Sequence, residues 1–116
     1  MAFDLRVQHG KPTRELRDHV ERRLGFALGR FAGRIGRVTV YVEDLNGPRG
    51  GVDQRCRIQV SLVPSGIVMA EGMGAEAIAA VNRAAERVAR QMRNEFDRRR
   101  ATRRQGSARG HESMEL

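Results

Sequence analysis

The chain has 116 residues, one cysteine and a formal charge of +8 at pH 7, and among its 22 basic residues Lys11 is the one lysine. That length suits a single domain that buries its own core without a disulfide or structural metal, and it argues against two domains. A lone Cys56 excludes an internal disulfide, no His and Cys cluster has zinc-site spacing, and no apolar run is long enough to span a bilayer. The start, Met1-Ala2-Phe3-Asp4, lacks the basic-then-apolar layout of a signal peptide, so a cytoplasmic location is expected. The positive sign favours nucleic acid over an anionic membrane surface, and arginine brings a flat fork of donors that matches phosphate. An arginine-rich codon preference would account for the Arg-to-Lys ratio but not for the sign.

Phe3, Leu5 and Val7 alternate with Asp4, Arg6 and Gln8, the period of a strand with one buried face. After Gly10 and Pro12, Thr13 is placed to cap a helix over 13–31, with Leu16, Val20, Leu24, Ala27, Leu28 and Phe31 as its apolar stripe. Gly25, Gly29 and Gly33 are spaced by four, which predicts either close packing on a sheet or a loosened helix end; the surrounding arginines exclude a lipid setting. Val38, Val40 and Val42 alternate with Thr39, Tyr41 and Glu43 and predict a strand from Arg37 to Glu43.

The segment Asp44 to Asp53 follows, with Asn46-Gly47, Pro48 and Gly50-Gly51 around Arg49. Glycines that tolerate positive φ, a proline of fixed φ and flanking aspartates predict a shaped connector rather than a slack one. A third strand, Gln54 to Val63, points Cys56, Ile58, Val60 and Leu62 to one side, so Cys56 reads as a core residue. Pro64-Ser65-Gly66 makes a compact turn into a fourth strand, Ile67 to Met73, closed by Gly72 and Gly74. From Ala75 the period is helical, with Ile78, Val81, Ala85, Val88, Met92 and Phe96 on one stripe and an end near residue 101. Residues 1–101 are thus expected to form one domain and 102–116 a disordered basic-to-polar tail. The order β-α-β-β-β-α predicts an α+β fold: a four-stranded sheet with two helices packed on one face, as in double-stranded-RNA-binding domains.

Catalytic chemistry finds little support in the residues. The glycines of 46–51 lack the Gly-Lys-Ser/Thr ending of a phosphate loop, and a strand rather than a helix follows them. Val52 stands where the Gly-Gly-Gln tip of peptide-release factors requires glutamine. His9, His19 and His111 are far apart and have no Ser or Cys partner by spacing; Glu43 and Asp44 are adjacent on a strand, where side chains alternate in direction. No enzyme, cofactor or small-molecule substrate is therefore expected. The basic positions remain. Arg22, Arg23 and Arg30 on the first helix and Arg83, Arg87, Arg90 and Arg93 on the second lie off the apolar stripes and predict two neighbouring arginine rows, with Arg49 in the connector. After residue 82 the second helix interleaves few acids, Glu86, Glu95 and Asp97, among its arginines, an imbalance that suits a phosphate backbone better than mutual salt bridges. With one tyrosine and no tryptophan, contacts to phosphate and folded RNA shape are expected over the reading of single-stranded bases.

Val40-Tyr41-Val42-Glu43-Asp44-Leu45-Asn46-Gly47-Pro48, Gly50-Gly51-Val52-Asp53 and Cys56-Arg57-Ile58 resemble the ribosome hibernation promoting factor family, also called ribosome-associated inhibitor A or sigma-54 modulation proteins. Glu76-Ala77-Ile78-Ala79-Ala80-Val81-Asn82 is similar to that family's Asp-x-x-Ala-Ala-Ile-Asp, with Glu76 and Asn82 in place of aspartates. The resemblance covers about residues 2–100 and is closest to the short form, which lacks a second domain. It implies binding to the small ribosomal subunit between head and body, over the mRNA and tRNA sites, with translation blocked by occupancy. It also implies that the seven helix arginines named above face ribosomal RNA; the connector is expected to bring Arg49 near RNA, and the protein to be monomeric when free. A general double-stranded RNA-binding module without ribosome preference is the alternative.

Overall fold

The computed structural model describes residues 1–8, 12–45 and 53–115, with side chains as far as residue 103. Its elements are β1 (Ala2–Val7), α1 (Arg14–Leu28), β2 (Ile35–Asp44), β3 (Gln54–Leu62), β4 (Ile67–Gly74) and α2 (Ala77–Glu115), with a 3-10 helix at Gly29–Arg34 between α1 and β2. The sheet runs β1-β2-β3-β4 in space; β1 and β2 are parallel, and the other two pairings are antiparallel. α1 is the crossover that the parallel pair requires, while β2, β3 and β4 connect as neighbours. The α+β class and the β-α-β-β-β-α order read from the sequence both hold.

The core lies between the sheet and the helical layer. Val38, Val40 and Val42 of β2 and Cys56, Ile58, Val60 and Leu62 of β3 meet Val20, Leu24 and Leu28 of α1 and Val81, Val88 and Met92 of α2. Each such side chain stabilises the fold by about 1.5–3 kcal/mol relative to exposure. Both helices therefore cover one face, and the alternating residues, among them Tyr41, Arg55, Arg57, Met69 and Met73, occupy an uncovered face. Cys56 is a core residue as its alternation predicts, and burial pushes its thiol up to about 12, which keeps it protonated and unreactive.

Local chemistry sets the boundaries. The Thr13 hydroxyl accepts from the Leu16 amide at 3.1 Å, capping α1. α1 stops at Leu28, three residues before the stripe ends, and the chain tightens into the 3-10 helix. A Cβ added at Gly25, Gly29 or Gly33 would meet nothing within 4 Å, so the glycine spacing does not mark close packing. The tightened turn instead delivers Phe31 onto Phe96 of α2, ring centroids 5.3 Å apart and stacked.

Two further expectations are corrected. Gly72 does not end β4 but lies inside it, where α2 crosses: a Cβ there would stand 2.3 Å from the Ala84 nitrogen and 2.7 Å from the Ala80 oxygen. Glycine is needed for backbone to approach backbone. The other correction concerns the end of α2, which the apolar stripe places near residue 101; the backbone stays helical to Glu115. The apolar stripe stops at Phe96, and the residues beyond contain no proline to break the helix, although Gly106 and Gly110 are poor helix formers.

Candidate nucleic-acid interface

α1 and α2 are held side by side by polar contacts above the core. His19 Nε2 and Asn82 Oδ1 are 2.8 Å apart, and Arg23 Nη2 lies 3.9 Å from Glu86 Oε1. Asn82, which departs from the aspartate of the resemblance, thus faces the neighbouring helix. His19 is tied to the side-chain amide of Asn82. Among the described residues, no group of three or more His, Cys, Asp and Glu is placed to hold a metal ion, and no helix is long and apolar enough to cross a membrane.

The eight arginines singled out in the sequence fall into distinct environments. Arg23 borders α2 and is three-quarters buried along its side chain, its stem packed and its head near Glu86. Arg30 lies over the Phe31 ring at 5.0 Å, beside Arg34 over Phe96 at 4.7 Å, so both cations are oriented by the stacked pair. Arg22, Arg90 and Arg93 are exposed and have no carboxylate partner among the described residues. Arg83 and Arg87 are also exposed, but they reach to the edge strand: Arg83 Nη1 donates to the Met73 carbonyl at 2.8 Å and Arg87 Nη1 to the Glu71 carbonyl at 3.0 Å.

This last pair changes the picture of two adjacent rows. Arg83 and Arg87 lie on the β4 side of α2, whereas Asn82 and Glu86 form its α1 side. Both guanidiniums keep their charge, since a carbonyl does not neutralise it, while being held in place. Arg49 and the connector 46–52 lie outside the described residues; of its flanks, the Leu45 amide donates to the Asp53 carbonyl at 3.1 Å and the Asp44 amide to Gln8 Oε1 at 3.0 Å.

The arginines of the uncovered sheet face are differently placed. Arg55 pairs with Glu43, and Arg57 lies 3.5 Å from Glu43 and 3.6 Å from Glu71. Arg57 Nε is buried without a hydrogen bond, because Glu71 Oε1 stands beyond hydrogen-bonding distance. The basic run late in α2 is also matched in part: Arg98 and Arg99 pair with Glu95, and Arg100 with Asp97. The hydrogen bond from Arg98, helped by Arg99, holds the Glu95 carboxyl below its ordinary range.

One surface feature escapes the apolar-stripe reading. Phe26 is 87% exposed, in a shallow groove with His19, Arg22 and Arg23. Its signal was present in the sequence, because on a helical wheel Phe26 falls about 200° from Leu24, outside the stripe.

The model of the family described as sigma 54 modulation protein / S30EA ribosomal protein matches residues 3–100. The chain belongs to this family. Among solved structures, the S30EA-family chain is similar to the N-terminal domain of Protein Y from Thermus thermophilus, with 27% identity over 78% of this chain and 94% of that one and a TM-score of 0.65. A ribosomal subunit interface protein from Coxiella burnetii superimposes with a TM-score of 0.70 over 84% of this chain and 99% of that one; at 14% identity this likeness concerns the fold alone. No curated protein matches the chain.

Proposed function

We propose that this S30EA-family chain is a non-enzymatic ribosome-associated factor that holds idle ribosomes out of translation. It binds the small subunit across the mRNA and tRNA positions and acts by occupancy. The observation that carries this reading is the surplus of uncompensated arginines on the helical layer, in a chain whose family model spans nearly the whole fold. Arg22, Arg90 and Arg93 offer forks without a carboxylate partner among the described residues, Arg30, Arg83 and Arg87 offer oriented ones, and Arg23 a loosely paired one. Arg49 would add a contact from the connector. Arginines held in place by carbonyls and rings give up little side-chain entropy on meeting phosphate, and each phosphate neutralised releases counterions.

Sedimentation on a sucrose gradient tests the reading. The protein is expected to travel with vacant small subunits at low salt and to leave them as salt rises; protein that remains at the top at low salt contradicts it. Excess duplex RNA separates a site-specific factor, which stays bound, from a general duplex binder, which is stripped off.

A further inference from the structure

Single exposed apolar side chains are common on protein surfaces, so the exposure of Phe26 alone carries nothing. Its neighbours give it meaning. Arg22 and Arg23 lie at i−4 and i−3 on α1, positions that share a helix surface with residue 26. Arg22 and Arg23 line the same groove as the ring, and His19, fixed by Asn82, forms another part of its wall. A surface built to receive an apolar protein segment or a lipid would place further apolar residues around the ring. Here the groove neighbours are two cations and an imidazole, which suit a partner that is flat and apolar in one part and anionic in the next.

A nucleotide has that composition. We propose that Phe26 is a stacking platform for an unpaired nucleobase of RNA, with Arg22 and Arg23 taking the phosphates on either side. Stacking on an aromatic ring is tolerant of base identity, since every base has a π face, and the guanidiniums fix the strand over it. The inference deepens the proposed function: it rests on RNA as the partner and adds a base contact to a surface otherwise described by phosphate contacts. It adds an aromatic base contact to the expectation, drawn from the paucity of Tyr and Trp, that phosphate and folded RNA shape are favoured over single-stranded bases.

The test compares wild type with Phe26→Ala, Phe26→Leu and Phe26→Tyr in co-sedimentation with vacant small subunits at fixed salt, and in titrations of a hairpin RNA with an unpaired loop. The side chain is almost fully exposed, so thermal unfolding should be unchanged in all three variants. Phe26→Ala and Phe26→Leu are expected to weaken binding by about 5- to 100-fold, the range for one base stack, while Phe26→Tyr stays within about 2-fold. The salt slope should not move, because no phosphate contact is lost. Leu binding as well as Phe, or Ala binding as wild type, overturns the stacking site while leaving subunit binding intact. Wild type that fails to sediment but binds the hairpin in a Phe26-dependent way overturns the ribosomal reading and leaves the stacking site standing. Cross-linking from p-benzoylphenylalanine at position 26 should reach RNA; a cross-link confined to ribosomal protein overturns the proposal.

Discussion

Both faces of this domain carry arginines, and Arg55 and Arg57 of the sheet face are used differently from those of the helical layer. On the uncovered sheet face, Arg55 and Arg57 converge on Glu43, with Glu71 across from Arg57. Their charge is answered within the fold, and the row behaves as part of the sheet. On the helical layer, Arg22, Arg90 and Arg93 meet no carboxylate among the described residues, and Arg83 and Arg87 are held by carbonyls that leave their charge intact. A net charge of +8 is therefore a poor guide to where an anion binds. On the proposed reading, a binding face differs from a charged face in the share of its cations left uncompensated by acidic neighbours.

The contrast can be broken most forcefully on α2. Reversing Arg90 and Arg93 to Glu removes two uncompensated cations that no hydrogen bond ties to the sheet. Binding to small subunits should fall by about 10- to 100-fold at low salt, and the log-log salt slope by about two units. Reversal at Arg87 is less clean, because it also removes the bond to the Glu71 carbonyl; some loss of stability should accompany the loss of binding.

The seam between the faces comes next. Gly72→Ala pushes a methyl group into the α2 backbone and should destabilise the fold by about 1–3 kcal/mol, measured by urea unfolding, without a change in salt slope. On the sheet face, Arg57→Met should leave subunit binding within about 2-fold and alter stability by about 1 kcal/mol or less, as expected for partly exposed ion pairs. A loss of binding as large as that of the α2 reversal would erase the distinction between the faces.

The smallest effect concerns acid. Glu95 has its folded-state value lowered, chiefly by the hydrogen bond from Arg98, so its contribution is complete above the ordinary carboxylate value and is lost as pH falls through the lower folded value. Glu95→Gln should flatten that acid limb of a stability-versus-pH curve slightly and leave neutral-pH binding unchanged. Salt bridging of this exposed kind is screened, which keeps the effect small.

β1, β2 and β3 were legible in the sequence through their two-residue alternation and β4 through the Pro64-Ser65-Gly66 turn before it, and their actual bounds extend or trim the expected ones by a residue or two. Helix starts were legible through Thr13. Helix ends were not: Gly29 to Arg34 form a 3-10 turn that serves the Phe31 and Phe96 stack, a contact 65 residues apart in the chain that no local pattern announces. Gly72 read as a strand terminator for the same reason, since the need for glycine comes from α2 crossing above it. At the candidate site, the sequence supplied the identities of the arginines, and the wheel placed them off the core. It could not show that Arg83 and Arg87 turn to β4, nor that Arg55 and Arg57 are matched by acids from neighbouring strands. Phe26 was overlooked because attention to the apolar stripe hides an apolar residue that falls outside it.

The salt dependence of small-subunit binding tests the central claim most directly. Co-sedimentation would be followed between about 50 and 200 mM salt for wild type, Arg90→Glu with Arg93→Glu, and Arg57→Met. The account predicts a steep slope for wild type, a slope shallower by about two units for the α2 reversal, and a wild-type slope for Arg57→Met. Equal slopes for wild type and the α2 reversal, or a reduced slope for Arg57→Met alone, would contradict the assignment of RNA binding to the helical face.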